Sequence, residues 1–431
     1  MHPAAVPGAV VRAGFKVPAH SVTTRNLGAA YPLVAEAGLG HRGVLVGHDL
    51  LGGSFVYDPF ELYAAGVLSN PNMIVFGQIG RGKSSLLKTF LWRQAVFGRR
   101  AWVVDPKGEY AGLARLWGVR PVALRPGGEV RLNPLDPVAA RRADGILDDP
   151  DRRQCELLAS LASACLGRPL QPRERAAVDL ALASAKAARA VPTLPQVVEA
   201  LLDPDAGAAA GISTDRERLL EDGRDVALEL RRLVAGDLRG MFDGPTTHGL
   251  DLSGPLVVLD LSALYASSAL GVLMTCATAW LQAALTQQRR RGAFAFLVVD
   301  EAWAILANLG VARWLQASWK LSRAHGVANV AVLHRLSDLS AVGPVGSEQV
   351  GLAEGLLSDS ETLVLYAQPP GEAGRAADLL SLSSTEVDLL PQLTRGVALW
   401  KVGTRSFLVR HVVSPAEQAL VDTDRAMVEP R

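Results

Sequence analysis

The sequence predicts an α/β fold: a mainly parallel central sheet with helices on both faces, interrupted by an all-helical insertion. Three observations predict it. Short continuous apolar runs at residues 73–76, 101–104, 256–259, 294–299, 327–333, 362–367 and 397–402 alternate with helical periodicity, the pattern of strands buried on both faces. Between residues 139 and 245 that alternation stops and only helical patterns remain. Of the 431 residues, 49% are hydrophobic and 20% charged, the composition of an ordered globular chain that can bury a large core.

Taken in order, residues 1–70 are rich in Gly, Val and Pro, with short apolar runs such as 43–46, and predict an N-terminal flap of strands and turns. Residues 71–138 predict the first part of the core: a strand at 73–76, a loop, a helix over 84–97, a strand at 101–104 and a short strand near 121–124. Helices over 152–165, 173–188, 194–202 and 215–234 make up the insertion, with Pro172 and Pro195 where helix starts tolerate proline. Residues 246–414 return to the sheet pattern, and 415–431 predict a tail of one short helix and a frayed end.

Composition excludes several functions. Lys and Arg number 44 against 43 Asp and Glu, a net +1, so no global field draws the chain to nucleic acid or anionic lipid. Any polyanion site must be local. Cys155, Cys165 and Cys276 are odd in number, lie in apolar surroundings and lack metal-ligand spacing, so they read as core residues of a reducing compartment. Residues 1–16 lack the continuous apolar core of a signal peptide. Residues 261–285 carry no charge and are long enough to cross a bilayer. Their Ser, Thr and Gln content and the strand before them place them instead as a buried helix between two central strands, so no transmembrane segment is expected.

Residues Gly77, Gln78, Ile79, Gly80, Arg81, Gly82, Lys83 and Ser84, followed by Ser85, match the phosphate-loop pattern between an apolar strand and a helix. The glycines let several N–H groups face one anion, and the helix adds its positive dipole end. Lys83 is suited to the β and γ phosphates, and Ser84 to Mg²⁺. The apolar run 294–299 ends in Asp300 and Glu301; the first suits water-mediated Mg²⁺ binding and the second general-base activation of water. Parallel strands place both motifs on one rim. Asp260 ends another strand, but Leu261 follows it, so Asp260 reads as structural or supporting. Asp105-Pro-Lys-Gly-Glu109-Tyr110 falls on the same rim, either as a polar turn or as part of the site.

These stretches, with Asn133-Pro-Leu-Asp136, Phe242-Asp-Gly-Pro-Thr246 and Val298-Val-Asp-Glu-Ala-Trp303 in that order, resemble the C-terminal ATPase domain of conjugation and type IV secretion motors in the HerA/FtsK superfamily of P-loop NTPases, over residues 57–414. The resemblance implies a RecA-like core. It also implies a homo-hexameric ring that couples ATP and Mg²⁺ to DNA or protein translocation in a membrane-associated secretion or conjugation complex, on the cytoplasmic side. Within it, Arg323 occupies the place of a trans-acting arginine, a permanently charged planar donor for a neighbour's γ-phosphate, with Arg395 second. His334 stands where the family places a γ-phosphate-sensing Gln, and reads equally as a sensor or a satisfied structural histidine. The family's large N-terminal domain has no room in the first seventy or so residues. Alternative readings are a nucleotide-switched assembly scaffold and a HerA-like DNA-processing translocase. For DNA, Arg289, Arg290 and Arg291 are the one local basic run singled out, at a helix end where solvated charge is the usual explanation.

Overall fold

A buried sheet of mostly β-branched and aromatic residues organises the molecule. The computed structural model describes residues 38–136, 150–236, 238–250, 254–265, 267, 270–288, 294–306, 312, 315–316, 319–320, 326–335 and 348–421. Its strands are β1 (Val44–Asp49), β2 (Ser54–Tyr57), β3 (Met73–Phe76), β4 (Arg100–Asp105), β5 (Val122–Ala123), β6 (Leu256–Asp260), β7 (Ala295–Val299), β8 (Val327–Leu333), β9 (Thr362–Leu365), β10 (Val397–Val402) and β11 (Arg405–His411). They form one eleven-stranded sheet in the order β2-β1-β11-β10-β9-β3-β8-β7-β4-β6-β5.

From β9 to β5 all neighbours pair in parallel. Every residue of β3, β7, β8 and β9 is buried, which is why these strands read as unbroken apolar runs and not as alternations. Period-two geometry still sorts them by face. Ile74, Phe76, Leu297 and Val299 join one core cluster; Met73, Val75, Phe296 and Val298 join the other. The mainly parallel sheet is as expected; β10, β11, β1 and β2 extend it antiparallel. The strands anticipated before residue 70 are thus edge strands of the main sheet, and β11 was not anticipated.

The insertion is helical throughout its described part: Pro150–Leu166, Pro172–Ala188, Leu194–Leu202, Ala206–Gly211 and Arg216–Val234. The short Ala206–Gly211 helix escaped sequence reading because six residues carry too little periodicity. Gln171 with Glu174, and Thr193 with Gln196, form reciprocal caps that start two of these helices. The buried helix between β6 and β7 begins at Leu270, after a 3-10 turn at Ser262–Leu264. No helix among the described residues is long and apolar enough to cross a membrane.

Register sets the site. Phe76 pairs with Leu333, Val299 with Ala331, and Val104 with Val299. Gly77, His334, Asp300 and Asp105, which end their strands, therefore emerge on one rim.

Candidate functional site

The phosphate-pattern loop is shaped by its glycines and by the strand beside it. A Cβ at Gly77 would stand 2.5 Å from Cβ of Tyr366, and Gly80 (φ +78°) and Gly82 (φ +113°) lie in the left-handed region. Gly82 caps the helix Lys83–Gln94, and no side-chain hydrogen bond covers that helix start. The neighbouring turn braces the loop from outside: Gly396 N–H donates to the Arg81 carbonyl at 3.0 Å, and the Tyr366 hydroxyl to the Gly82 carbonyl at 3.4 Å.

Lys83 Nζ donates to the Gly77 and Gln78 carbonyls, the second at 3.1 Å, and lies 3.2 Å from Nδ1 of His334. His334 Nε2 is 2.7 Å from both carboxylate oxygens of Glu301. A neutral imidazole that accepts from Lys83 at Nδ1 and donates from Nε2 satisfies both neighbours. Glu301 also accepts from the Trp303 indole N–H and forms an ion pair with Lys107. Its φ of +55° marks a strained turn after β7, which aims the carboxylate back across the rim.

The loop bearing Lys107 is built on Asp105. That fully buried carboxylate accepts from the backbone N–H groups of Lys107 (3.2 Å), Glu109 (3.1 Å) and Tyr110 (2.8 Å). The bend is thereby fixed under the Lys107 side chain. Asp260, by contrast, accepts from Ser262 N–H at 2.9 Å and starts the 3-10 turn, the supporting part expected of it.

Ile79, Gly80, Gly82, Lys83, Ser84 and Ser85 line one wall of a cleft of about 490 Å³; Lys107, Asp300, Glu301 and His334 line the facing wall. Burial drives the electrostatics. It lowers Lys83 to about 8, although Asp300 and Glu301 pull the other way. Burial, then the charges of Glu301, Glu109 and Asp105, push Asp300 up to about 7. Burial would also raise Glu301, but its hydrogen bonds from His334, Lys107 and Trp303 win and hold it at about 2. Asp300 is thus a buried acid in the same cleft lining as Ser84, and their oxygen donors fit a hard divalent ion. Among the described residues there is no group of three or more His, Cys, Asp or Glu that could hold a metal ion.

The structure brings the phosphate-loop residues together with Asp300, Glu301 and His334. Gly77, Gln78 and Arg81 contribute backbone, and the others line the cleft. Arg323 lies outside the described residues, as do Arg289, Arg290 and Arg291. Arg395 lines the cleft of its own chain. Lys107 and Glu109, from the turn left open between a polar turn and part of the site, line the cleft as well. The Asn133–Asp136 and Phe242–Thr246 stretches are elsewhere. Thr246 Oγ1 accepts from Asn133 N–H (2.8 Å) and the Trp280 indole (3.0 Å) and donates to Asp136 (2.6 Å), which ties the two roots of the insertion to the buried helix.

No protein-family model matches the chain. One curated relative, an uncharacterised protein of Bacillus anthracis, is 32% identical over 78 residues, 18% of this chain; the match spans 11% of that relative's length. Among solved structures, VirB4 of Thermoanaerobacter pseudethanolicus superposes with a TM-score of 0.71 at 24% identity, covering 88% of this chain and 100% of that one. The bacterial conjugative coupling protein TrwB, without its first 70 residues, gives 0.54 at 16% identity, covering 80% and 84%. TrwB in complex with ADP and Mg²⁺ gives 0.52 at 16%, covering 81% and 87%. The chain therefore has the RecA-like P-loop α/β fold of these proteins.

Proposed function

We propose that this chain binds ATP with Mg²⁺ and hydrolyses it to drive DNA transfer or type IV secretion, as a subunit of a hexameric ring at a membrane complex. The convergence of Lys83 and Ser84 from one segment with Asp300, Glu301 and His334 from others, in one cleft at the strand ends, carries this reading. The fold shared with VirB4 and with nucleotide-bound TrwB supports it. Lys83 and the loop N–H groups would hold the phosphates. Ser84 and Asp300 would hold Mg²⁺, which would supply positive charge to offset the charge developing on the phosphates. Glu301 would take a proton from the attacking water as its oxygen bonds to the γ phosphorus and the β–γ bridging bond breaks.

Two substitutions test the assignment. Lys83→Ala is expected to abolish tight ATP binding, measured by displacement of a fluorescent nucleotide. Glu301→Gln should keep binding and lose at least about a hundredfold in turnover. Undiminished turnover in the second variant would remove Glu301 as the base. Arg323 is proposed to act on a neighbouring subunit's site. Mixing Arg323→Ala chains into the intact protein should then depress turnover more than dilution does, and a strictly proportional loss would refute the role.

A further inference from the structure

In this structure the base is not free to act. Both oxygens of the Glu301 carboxylate are engaged, one by Lys107 and His334 and the other by Trp303 and His334, and the residue is 2% exposed. Three donors hold the carboxylate, the single His334 Nε2–H being shared between its two oxygens. Of the groups that hold it, His334 is fixed to the end of β8 between Glu301 and Lys83, and Trp303 follows Glu301 by two residues. Lys107 differs. Its backbone is clamped by Asp105, but its side chain lines the cleft on a flexible four-carbon stem, 20% exposed.

We propose that Lys107 senses the terminal phosphate: its ammonium moves from Glu301 to the γ-phosphate of a bound nucleoside triphosphate, which leaves one carboxylate oxygen with only a share of the single His334 Nε2–H and so able to receive a water's proton. The inference rests on the nucleotide-binding reading above. A terminal phosphate carries more charge than a carboxylate and is the stronger acceptor for an ammonium, so it takes the lysine when present. With a diphosphate bound, that acceptor is missing and Lys107 stays on Glu301. The base is thereby coupled to the substrate and idle with the product. The Tyr265 ring, 5.5 Å from Nζ, flanks the ammonium with its π face.

The test compares Lys107→Met and Lys107→Arg with the intact full chain, by displacement of a fluorescent nucleotide with a non-hydrolysable ATP analogue and, separately, with ADP. Lys107→Met should weaken the ATP analogue about tenfold and leave ADP within about twofold, while Lys107→Arg restores most of the difference. Equal weakening of both nucleotides would make Lys107 a loop-shaping residue and overturn the proposal; so would no weakening of either. Lys83→Ala serves as the separate control. If it binds both nucleotides as the intact chain does, the phosphate-loop reading fails. If only the Lys107 selectivity is missing, the nucleotide site stands and the sensing role falls.

Discussion

Lys88 shows what the site demands of single residues. It lies on the helix that begins with Lys83 and is 1% exposed; its Nζ has no hydrogen-bond partner among the described residues and sits 3.9 Å from a Glu109 oxygen. Burial lowers its pKa, with Glu109 and Asp105 opposing. A buried ion pair contributes little net stability, yet one left without its partner costs several kcal/mol. Lys88→Met should therefore leave the thermal midpoint unchanged or higher, while Glu109→Gln should cost about 2 kcal/mol in denaturant melts. The opposite order would place the stabilising charge on Lys88. At this scale the sequence was informative where chemistry is local. Gly77, whose Cβ would meet Tyr366, and the pair Asp300 and Glu301 each sit inside a short recognisable pattern. Lys107 was not legible as Glu301's partner, because nothing in a linear pattern says which turn of one strand faces the acid of another.

Among the elements, the helix Lys83–Gln94 is the one that must not move, and it is tied down at its far end. Arg93 donates to both Glu417 oxygens at 2.7 Å and to the carbonyls of Leu45 and Val412. The 3-10 turn Pro415–Glu417 and the helix Gln418–Val421 are thus docked on it, and Ala419 and Leu420 reach the cleft. The short helix expected after Pro415 is present, but as a brace for the phosphate-loop helix. Burial raises the Glu417 pKa, yet hydrogen bonds from Arg93 and Ser414 prevail and hold it at about 2. A carboxyl depressed in the folded state stabilises fully above its unfolded value, near 4.5, and loses that contribution as pH falls towards 2. Glu417→Gln should lower the melting temperature at pH 7, and the gap should close in scans taken progressively below pH 4.5. A gap that persists to pH 2 would assign the effect to packing.

At the scale of the whole molecule, the Thr246 hydroxyl is one of the ties between insertion and core, beside the Arg131–Asp243 ion pair and the Asn133 amide on the Pro192 carbonyl. Thr246→Val would leave the Asn133 N–H, the Trp280 indole and Asp136 without that partner, at a cost of about 2–4 kcal/mol in melts. Nucleotide affinity should stay within about twofold, since Thr246 is outside the cleft; a parallel loss of affinity would mean that the insertion shapes the site. The sequence by itself determined the parallel sheet, the helical insertion, the phosphate loop and the acidic strand end, because periodicity, glycine placement and a strand's final residues are properties of neighbours in the chain. Only the tertiary structure decided the antiparallel extension through β11 and β1, the place of Arg395 in the cleft lining, the structural use of Thr246 and the hold of Lys107 and His334 on Glu301. Those depend on strand order and register, which are set by how two core faces pack together and which no single segment encodes.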